Sequence, residues 1–451
     1  MVSFISPNTI ELFGANDSET IQNAISAAIA DGCRKVVIPR YNLRTKSCEW
    51  RIVDSILLPS DFTIVLDNCY MVQENGTFCP MFTNENSSIR PQTLELEQHD
   101  ITIIGEGNVT LSGGEHNGLV ERSAGKYGLP TGISLHNPIF LWINVRRLRV
   151  ENLHIEHQRH WAINHIYCNE VKIKNIDFFA YPHVPNMDGI DLRKGCQDFE
   201  IENITGRTGD DTIALTAISG VAETGATVEG KSHDICNVKI RNVLSDAFNY
   251  MNLRLLAQDG NKVHHIDADT IMDTSEHYTK KKSLATVSIG TQGAYIKICP
   301  PLPEDISNVH IKNLYSRAGM AIRITNGCTD SLFENFKTFG TNVIGIGSSG
   351  FGVTTHNVVF DGFYHGCGRM NIASNLVDNP TKAIPAITDL QDSHGELIIK
   401  DVHAEGINRI CNNSGTLSLT MEDAELVDYG ELYGMLGDTK LIINGKEYSD
   451  D

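Results

Sequence analysis

The chain lacks long apolar runs: among its 451 residues, none approaches the roughly 20 consecutive apolar residues that a membrane-spanning helix needs. It also shows no basic segment followed by an apolar stretch at its start, so we expect no signal peptide. Positive charge is scarce, with 37 Lys and Arg against 56 Asp and Glu and a net charge of -19. Nucleic-acid binding needs basic residues to neutralise phosphates, so this balance argues against that partner. It also disfavours a long polyanionic substrate.

Paired cysteines are missing as well. The eleven cysteines are scattered from Cys33 to Cys411 without a CxxC pair, which indicates neither a zinc site nor a disulfide framework. An odd number of scattered thiols favours reduced, mostly buried cysteines, although a single disulfide bridge remains an alternative.

We therefore predict a cytoplasmic protein that needs no cofactor or metal and does not bind membranes, and the sequence is compatible with a homo-oligomer. A leader preceding this sequence would instead make the protein secreted.

A short phrase recurs along the chain from about residue 100. Apolar residues alternate with polar ones, and an Asn returns at one phase, as in residues 148–155, 171–176, 199–204, 238–243 and 309–314. Asn152 and Asn175 are 23 residues apart, and Asn313 and Asn335 are 22 apart. The alternation indicates strands, and the period suits one coil of a parallel β-helix. A leucine-rich repeat is the alternative, but β-branched residues at alternate positions favour strands.

The recurring Asn has a physical reason. Asn tolerates the left-handed backbone conformation at a bend, and its amide can hydrogen bond to the Asn one coil above or below. We therefore predict that Asn152, Asn175 and Asn203 lie in one row.

The length of the chain also favours a stacked repeat, because it exceeds the roughly 250–300 residues that one compact core supports. We predict an all-β protein, a right-handed single-stranded parallel β-helix, as a single domain over residues 1–451. Residues 1–45 would form a cap and first coil, and residues 100–430 the main coils. The cap contains a helix with Ile21, Ile25, Ala28 and Ile29 on one face. Asp17 or Ser18 would cap its start and Gly32 would end it.

Acidic residues at matching positions of two coils are the candidates for chemistry. Residues 186–191 read Asn-Met-Asp-Gly-Ile-Asp, and residues 209–215 read Gly-Asp-Asp-Thr-Ile-Ala-Leu. Asp188 and Asp210 are 22 residues apart, and neighbouring coils stack at about 4.8 Å, so we expect Asp188, Asp210 and Asp211 to lie side by side. Glycoside hydrolysis requires such carboxyl groups, one as acid and one as base. A Gly-Asp-Asp turn by itself would carry no such meaning.

These motifs resemble glycoside hydrolase family 28, the polygalacturonase family, which has a pectin-lyase-like parallel β-helix. The family carries Asn-Thr-Asp-Gly-Ile-Asp and, one coil later, Gly-Asp-Asp-Cys-Ile-Ala-Ile. His160 and Trp161 lie in a segment similar to its Pro-x-Trp-x-Ile. The resemblance extends over residues 10–260. It implies that Asp210 is the general acid, that Asp188 and Asp211 position and deprotonate water, and that the anomeric configuration is inverted.

The chain departs from the family at residues that hold the substrate. The family has a Gly-His-Gly coil, which is absent here and leaves His233 as a weak substitute. It also has an Arg-Ile-Lys segment whose cations bind the substrate carboxylate. Arg254 and Arg323 both align with that Arg, with Arg254 preferred, but neither is followed by the Lys. One Arg can still hold a carboxylate through two parallel hydrogen bonds, so we expect a uronic-acid-containing or pectin-derived oligosaccharide.

Other polar residues are candidates for the same cleft. Asn186 and His183 precede Asp188, and His183 could line the cleft, although a surface loop is the favoured position. Trp161 would either stack on a sugar, with His160 beside it, or fill the coil interior. His264 and His265 are not expected to bind a metal together, because adjacent strand residues point to opposite faces.

Two other classes of protein remain open. A polysaccharide lyase or another sugar-modifying enzyme would use the three aspartates to hold a cation, and a glycan-binding β-helix would need no catalytic acid. Among the hydrolases we favour action on short oligosaccharides, and exo over endo cleavage. The stretch from Ala257 to Pro303 provides material for a loop that closes one end of the cleft.

Overall fold

Each repeat of the sequence forms one coil in the computed structural model. The structure describes residues 3–114, 138–180, 186–219, 226–248, 250–275, 283–290, 298–299, 301–338, 342–345, 352–366, 386–390, 392–434 and 436–449. Contacts along the chain group it into two compact units. The first unit comprises Met1–Asp210 and Gly220–His233, and the second comprises Asp211–Ser219 and Asp234–Asp451. The expectation of a single domain over the whole chain stays a prediction.

The first unit contains helix α1 (Asp17–Asp31) and, in its described ranges, strands β1 to β14. The strands are β1 (Lys35–Pro39), β2 (Trp50–Ile52), β3 (Ile56–Leu58), β4 (Phe62–Asp67), β5 (Tyr70–Gln73), β6 (Phe82–Asn84), β7 (Gln98–Glu106), β8 (Thr110–Ser112), β9 (Phe140–Ile143), β10 (Val145–Glu156), β11 (Ile163–Ile166), β12 (Asn169–Phe179), β13 (Ile190–Arg193) and β14 (Gln197–Arg207).

The second unit continues with strands β15 to β31 in the described ranges. They are β15 (Ile213–Ala217), β16 (Ile235–Asp246), β17 (Met251–Ala257), β18 (Val263–Asp273), β19 (Ala285–Ile289), β20 (Ile306–Ser316), β21 (Met320–Ile324), β22 (Asn326–Thr338), β23 (Asn342–Gly345), β24 (Val353–Gly366), β25 (Ala386–Asp389), β26 (Ser393–Glu405), β27 (Arg409–Cys411), β28 (Ser418–Val427), β29 (Glu431–Tyr433), β30 (Lys440–Ile443) and β31 (Lys446–Tyr448).

Successive coils pair in parallel in both units. In the first, one sheet runs β1-β4-β7-β10-β12-β14, and the other runs β3-β6-β9-β11-β13. In the second, even-numbered strands β16 to β30 form one sheet and odd-numbered strands β15 to β29 the other. Strand β31 ends the second unit as an antiparallel partner of β30. The predicted fold class, an all-β parallel β-helix with an N-terminal helix, is confirmed.

Bends in the long strands are set by the recurring Asn. Asn152, Asn175 and Asn203 have φ values of 61°, 56° and 58°, in the left-handed region that Asn tolerates. The Asn175 side chain donates to Asn152 Oδ1 at 2.7 Å, and Asn203 donates to Asn175 Oδ1 at 2.8 Å. The predicted row of Asn side chains is confirmed in the first unit.

The helix is where predicted, but its cap is not. Asn16, rather than Asp17 or Ser18, accepts the Glu19 N–H through its side chain at 2.9 Å. Buried Asp17 instead pairs with Arg44 at 2.6 Å, and Ser18 accepts backbone N–H groups of a neighbouring loop. The helix begins one residue after the Asn because tertiary partners engage the two expected caps. Gly32 ends it at φ 76°, as predicted.

Stacked aromatic rings fill the coils. In the first unit, the Phe82 and Phe140 rings stack at 5.4 Å. In the second, Phe333 and Phe360 stack at 4.6 Å. All four side chains are buried, and the burial of each contributes about 1.5–3 kcal/mol to stability relative to exposure.

None of the helices in the described ranges combines the length and hydropathy that crossing a membrane would require. The ten described cysteines carry free thiols.

A histidine on the outer face of the first unit links two coils. His154 Nδ1 lies 2.7 Å from Asp177 Oδ2, and its Nε2 lies 3.8 Å from Glu156 Oε2. The hydrogen bond with Asp177, helped by Glu156, raises the pKa of His154 from 6.5 to about 9. The folded chain therefore favours the imidazolium form, which stabilises the stacking of β10 on β12.

We predict a pH-dependent loss of stability for His154→Gln. Because the folded-state pKa is raised, the stabilisation is complete below about pH 6.5 and is lost as the pH rises through about 9. The half-exposed pair is screened by solvent, so we expect the variant to lose about 1 kcal/mol of unfolding free energy near pH 6 and little near pH 10. Denaturant unfolding at both pH values measures this. His356→Gln, at an exposed histidine, is the control, and a loss independent of pH would contradict the prediction.

Candidate active site

Three successive turns of the first unit carry most of the residues singled out by their motifs. Residues 157–162 lead into the short strand β11, residues 186–189 lead into the short strand β13, and residues 208–210 follow the unit's last long strand, β14. The Gly209 N–H donates to the Met187 carbonyl at 3.0 Å. This bond shows that the two acidic motifs lie on adjacent coils, as their spacing predicted.

Asp188 and Asp210 come together in these turns. Carboxylate oxygens of the two residues lie within 4.8 Å of one another, and the side chains are almost fully buried. The Asn186 N–H donates to Asp210 Oδ2 at 3.1 Å, with Asn186 at a φ of 62°. Two carboxylates this close cannot both ionise without cost. The pair is therefore suited to sharing one proton or to holding a cation.

The backbone beneath Asp188 is fixed by its neighbours. The Gln158 amide donates to the carbonyls of Met187 and Asp188, each at 3.2 Å. The Ala162 N–H donates to the Asp188 carbonyl at 3.0 Å. These bonds hold the turn that carries Asp188 directly on the turn that carries Trp161.

Trp161 is partly buried and packs between two side chains rather than inside the coil. The His160 ring centroid lies 4.7 Å from that of Trp161, and the Arg193 guanidinium carbon lies 4.5 Å from the Trp161 ring centroid. Arg193 is 4% exposed. A cation over an indole face is stabilised by the ring quadrupole, so this contact fixes the guanidinium.

Arg193 was not predicted from the sequence. The signal was present, because after Asp188 the chain alternates Ile190, Asp191, Leu192 and Arg193, which places the two charged residues on one face of a strand. The family motif ends at Asp191, so the resemblance assigns no role to Arg193.

In the second unit, Asp211 forms a buried ion pair. Arg254 Nη1 lies 2.7 Å from Asp211 Oδ2, and the Asp211 side chain is fully buried. The Met251 N–H donates to Asp211 Oδ1 at 3.1 Å. Burial raises the pKa of Asp211, while Arg254, the Met251 N–H and Arg323 act to lower it. Asp211 is thus a carboxylate that depends on a cation for its charge.

The two candidate arginines lie in one row. Arg254 of β17 is in register with Ser288 of β19, which is in register with Arg323 of β21. Burial lowers the pKa of Arg323, and Asp211 raises it. Among the described residues Arg323 makes no ion pair within 4.0 Å. The sequence could not choose between these arginines, and the structure places both on the same face of the second unit.

Other predicted residues lie elsewhere. His233 is exposed and accepts the Gly195 N–H through its carbonyl at 3.0 Å, at the opposite end of β13 from Asp188. It is not brought to the aspartate pair. His183 lies outside the described residues.

The expectation for His264 and His265 rested on a wrong premise. His265 has a φ of 54°, which breaks the strand alternation. The two Nδ1 atoms therefore lie 2.6 Å apart, instead of on opposite faces.

Asp61, His99 and Asp100 form a second close group of possible metal ligands in the first unit, but Arg147 already binds both carboxylate oxygens of Asp100.

Known proteins share this architecture. Residues 108–236 match the sequence model of the glycosyl hydrolases family 28. No curated protein sequence matches the chain. The family 28 exopolygalacturonase of Yersinia enterocolitica is similar, with 10% identity, a TM-score of 0.50, and coverage of 98% of this chain and 78% of that one. Two structures of the tailspike protein of E. coli bacteriophage HK620 are also similar, each at 10% identity with 97% and 80% coverage. The double mutant has a TM-score of 0.58, and the complex with a pentasaccharide has 0.56.

At this identity the structural likeness shows the fold alone, the parallel β-helix. The family match over residues 108–236 supports more than the fold, because this segment contains Asp188, Asp210 and Asp211. The resemblance to glycoside hydrolase family 28 that the motifs predicted is confirmed there, and it supports a glycoside hydrolase.

We predict that Arg254→Gln destabilises the protein in a pH-dependent manner. The variant leaves the buried Asp211 carboxylate without its cation, which costs about 3–5 kcal/mol of unfolding free energy at neutral pH. The pKa of Asp211 should rise further, so the penalty should shrink as the pH falls and the carboxyl is protonated. Denaturant unfolding at several pH values checks this. Arg241→Gln, which removes a more exposed pair with Asp267, should cost under about 1 kcal/mol. Equal losses for both variants would refute the prediction.

Proposed function

We propose that this protein is a glycoside hydrolase that cleaves an O-glycosidic bond in an oligosaccharide containing an acidic sugar. The observation that carries the proposal is the buried pair Asp188 and Asp210, whose oxygens lie within 4.8 Å on adjacent coils. The family match over residues 108–236 supports the same reaction class.

Asp210 is the proposed general acid. Two carboxyl groups in close contact favour one shared proton over none, and that proton would make Asp210 a carboxylic acid. The Asn186 N–H orients Asp210 Oδ2, so the other oxygen can present the proton to the leaving oxygen of the glycosidic bond. Protonation of that oxygen is the step in which a glycosidase acid acts.

We propose that Asp188 and Asp211 act on the water that attacks the sugar. Asp211 follows Asp210 in the chain, and its pairing with Arg254 at 2.7 Å favours the ionised form, which suits a base rather than an acid. Asp188 is the ionised partner when Asp210 carries the proton. The resemblance to family 28 assigns to these two residues the positioning and deprotonation of the attacking water.

The stereochemical outcome is also a proposal. Inverting enzymes separate acid and base by about 6.5–9.5 Å to leave room for water, and the nearest oxygens of Asp188 and Asp210 are closer than that. Inversion therefore requires that the attacking water lie outside the space between Asp188 and Asp210.

We predict that Asp210→Asn lowers kcat by roughly 10²–10⁴-fold, because it removes the acid and keeps the side-chain shape. The amide oxygen can still accept the Asn186 N–H, so thermal unfolding should change little. Asp198→Asn, at an exposed Asp with a left-handed φ of 57°, is the matched control. The measurement is hydrolysis across a panel of p-nitrophenyl glycosides and uronic-acid oligosaccharides. Near-full activity of Asp210→Asn, or an unsaturated product absorbing in the ultraviolet, would overturn the assignment.

We further propose exo-cleavage of short oligosaccharides. The net charge of -19 opposes the approach of a long polyanion, and the family's Gly-His-Gly and second cation are missing. We expect monosaccharide release from di- and trisaccharides, with the inverted anomer formed first in a proton NMR time course. Rapid viscosity loss from homogalacturonan with mixed oligomers would reject exo action, and a retained anomer would reject inversion.

A further inference from the structure

We propose that Arg193 is the specificity-determining residue that binds the carboxylate of the substrate's acidic sugar. The proposal rests on the hydrolase function proposed above, and it assigns the recognition of charge to a residue of the same coil as Asp188. Its basis is the geometry of Trp161, Asn164 and Arg193 on one face of the first unit.

The direction of the side chains follows from His165. Its ring packs edge-on against Phe199 of β14, with centroids 5.2 Å apart, so His165 points into the coil. Side chains alternate along a strand, so Asn164 points out of the coil. Asn164 is in register with Asp191, and Arg193 follows two residues later on the same outward face.

The Arg193 side chain returns along this face toward Asp188. The Ala162 N–H bonds to the Asp188 carbonyl, and Ile163 is in register with Ile190, so Trp161 is level with Asp188. The guanidinium carbon lies 4.5 Å from the centre of the Trp161 ring. The contact with Trp161 therefore draws the cation from Arg193 toward the end of β13 that carries Asp188, where a sugar on the aspartate pair would lie.

Asn164 gives a second, independent indication of a ligand. Its side chain is 0% exposed, and among the described residues neither its Nδ2 nor its Oδ1 has a hydrogen-bond partner. Such a buried amide is costly unless something satisfies it. It lies on the same outward face as Arg193, where a sugar hydroxyl could both donate to and accept from it.

The charge of this face favours a carboxylate as the group recognised. Arg254, the arginine that the family resemblance favoured, is engaged by Asp211 at 2.7 Å. Arg193 shares its face with Asp191, yet a guanidinium has five N–H donors in a planar fork, so contact with one protein carboxylate leaves donors for another. A sugar carboxylate can take such donors in a bidentate arrangement.

The test compares Arg193→Gln and Arg193→Lys with the wild-type chain on trigalacturonate and on its neutral methyl ester. We expect Arg193→Gln to raise KM for the acid about ten- to a hundredfold, to leave KM for the ester within about twofold, and to be partly rescued by Arg193→Lys. Arg149→Gln, in the same unit and paired with Glu151, controls for loss of an arginine. Equal effects of Arg193→Gln on both substrates, or a loss in kcat alone with a shifted pH profile, would overturn the proposal.

A binding assay tests the Arg193 proposal separately from the proposed hydrolase function. Trp50 and Trp142 are fully buried, so a sugar-dependent change in tryptophan emission reports Trp161, and Trp161→Phe should abolish it. We expect D-galacturonate, but not D-galactose, to change the emission of the wild type, and Arg193→Gln to remove the response. If no glycoside is hydrolysed but this response is present, the hydrolase function fails and the Arg193 site stands. If the wild type hydrolyses glycosides but shows no preference for galacturonate in either assay, the Arg193 proposal fails alone.

Discussion

The structure depends on backbone hydrogen bonding between successive coils in fixed register. The register is preserved at the bends because Asn152, Asn175 and Asn203 adopt left-handed φ values without strain and join their side chains from coil to coil. A shift by one residue would turn every interior side chain outward. The same register sets the Met187 turn on the Gly209 turn, so the position of the aspartate pair is a consequence of coil stacking.

Features set by this periodicity could be predicted from the sequence. The strands, the Asn row and the adjacency of Asp188 and Asp210 all follow from alternation and a period near 22 residues. Contacts between side chains distant in the chain could not be read in this way. Asp17 fits a helix cap by local rules, yet it is engaged by Arg44, and only the folded chain shows that competition.

Other sequence-based predictions were wrong or missing because they assume ideal strands. Alternation placed His264 and His265 on opposite faces, but a left-handed residue inside a strand changes the face on which the next side chain lies. Arg193 shows the opposite case. Strand alternation correctly indicates its face, but nothing in the sequence indicates that its side chain turns back onto Trp161. Side-chain direction along a strand depends on packing, and packing is a property of the assembled coils.

The effect of the net charge of -19 on an acidic ligand depends on where the cations lie in the structure. On the outer faces, basic side chains pair with acids across neighbouring strands, as Lys172 does with Glu200 at 3.1 Å and Lys174 with Glu202 at 2.7 Å. These pairs cancel locally and contribute little field beyond a Debye length of about 8–10 Å. Arg193 and Arg254, in contrast, are held in places largely closed to solvent, where a charge is screened less. The excess of acid therefore repels a long polyanion at a distance, whereas a buried guanidinium can attract a single carboxylate at contact. An overall acidic chain and an acidic substrate are compatible for this reason, provided that the substrate is short.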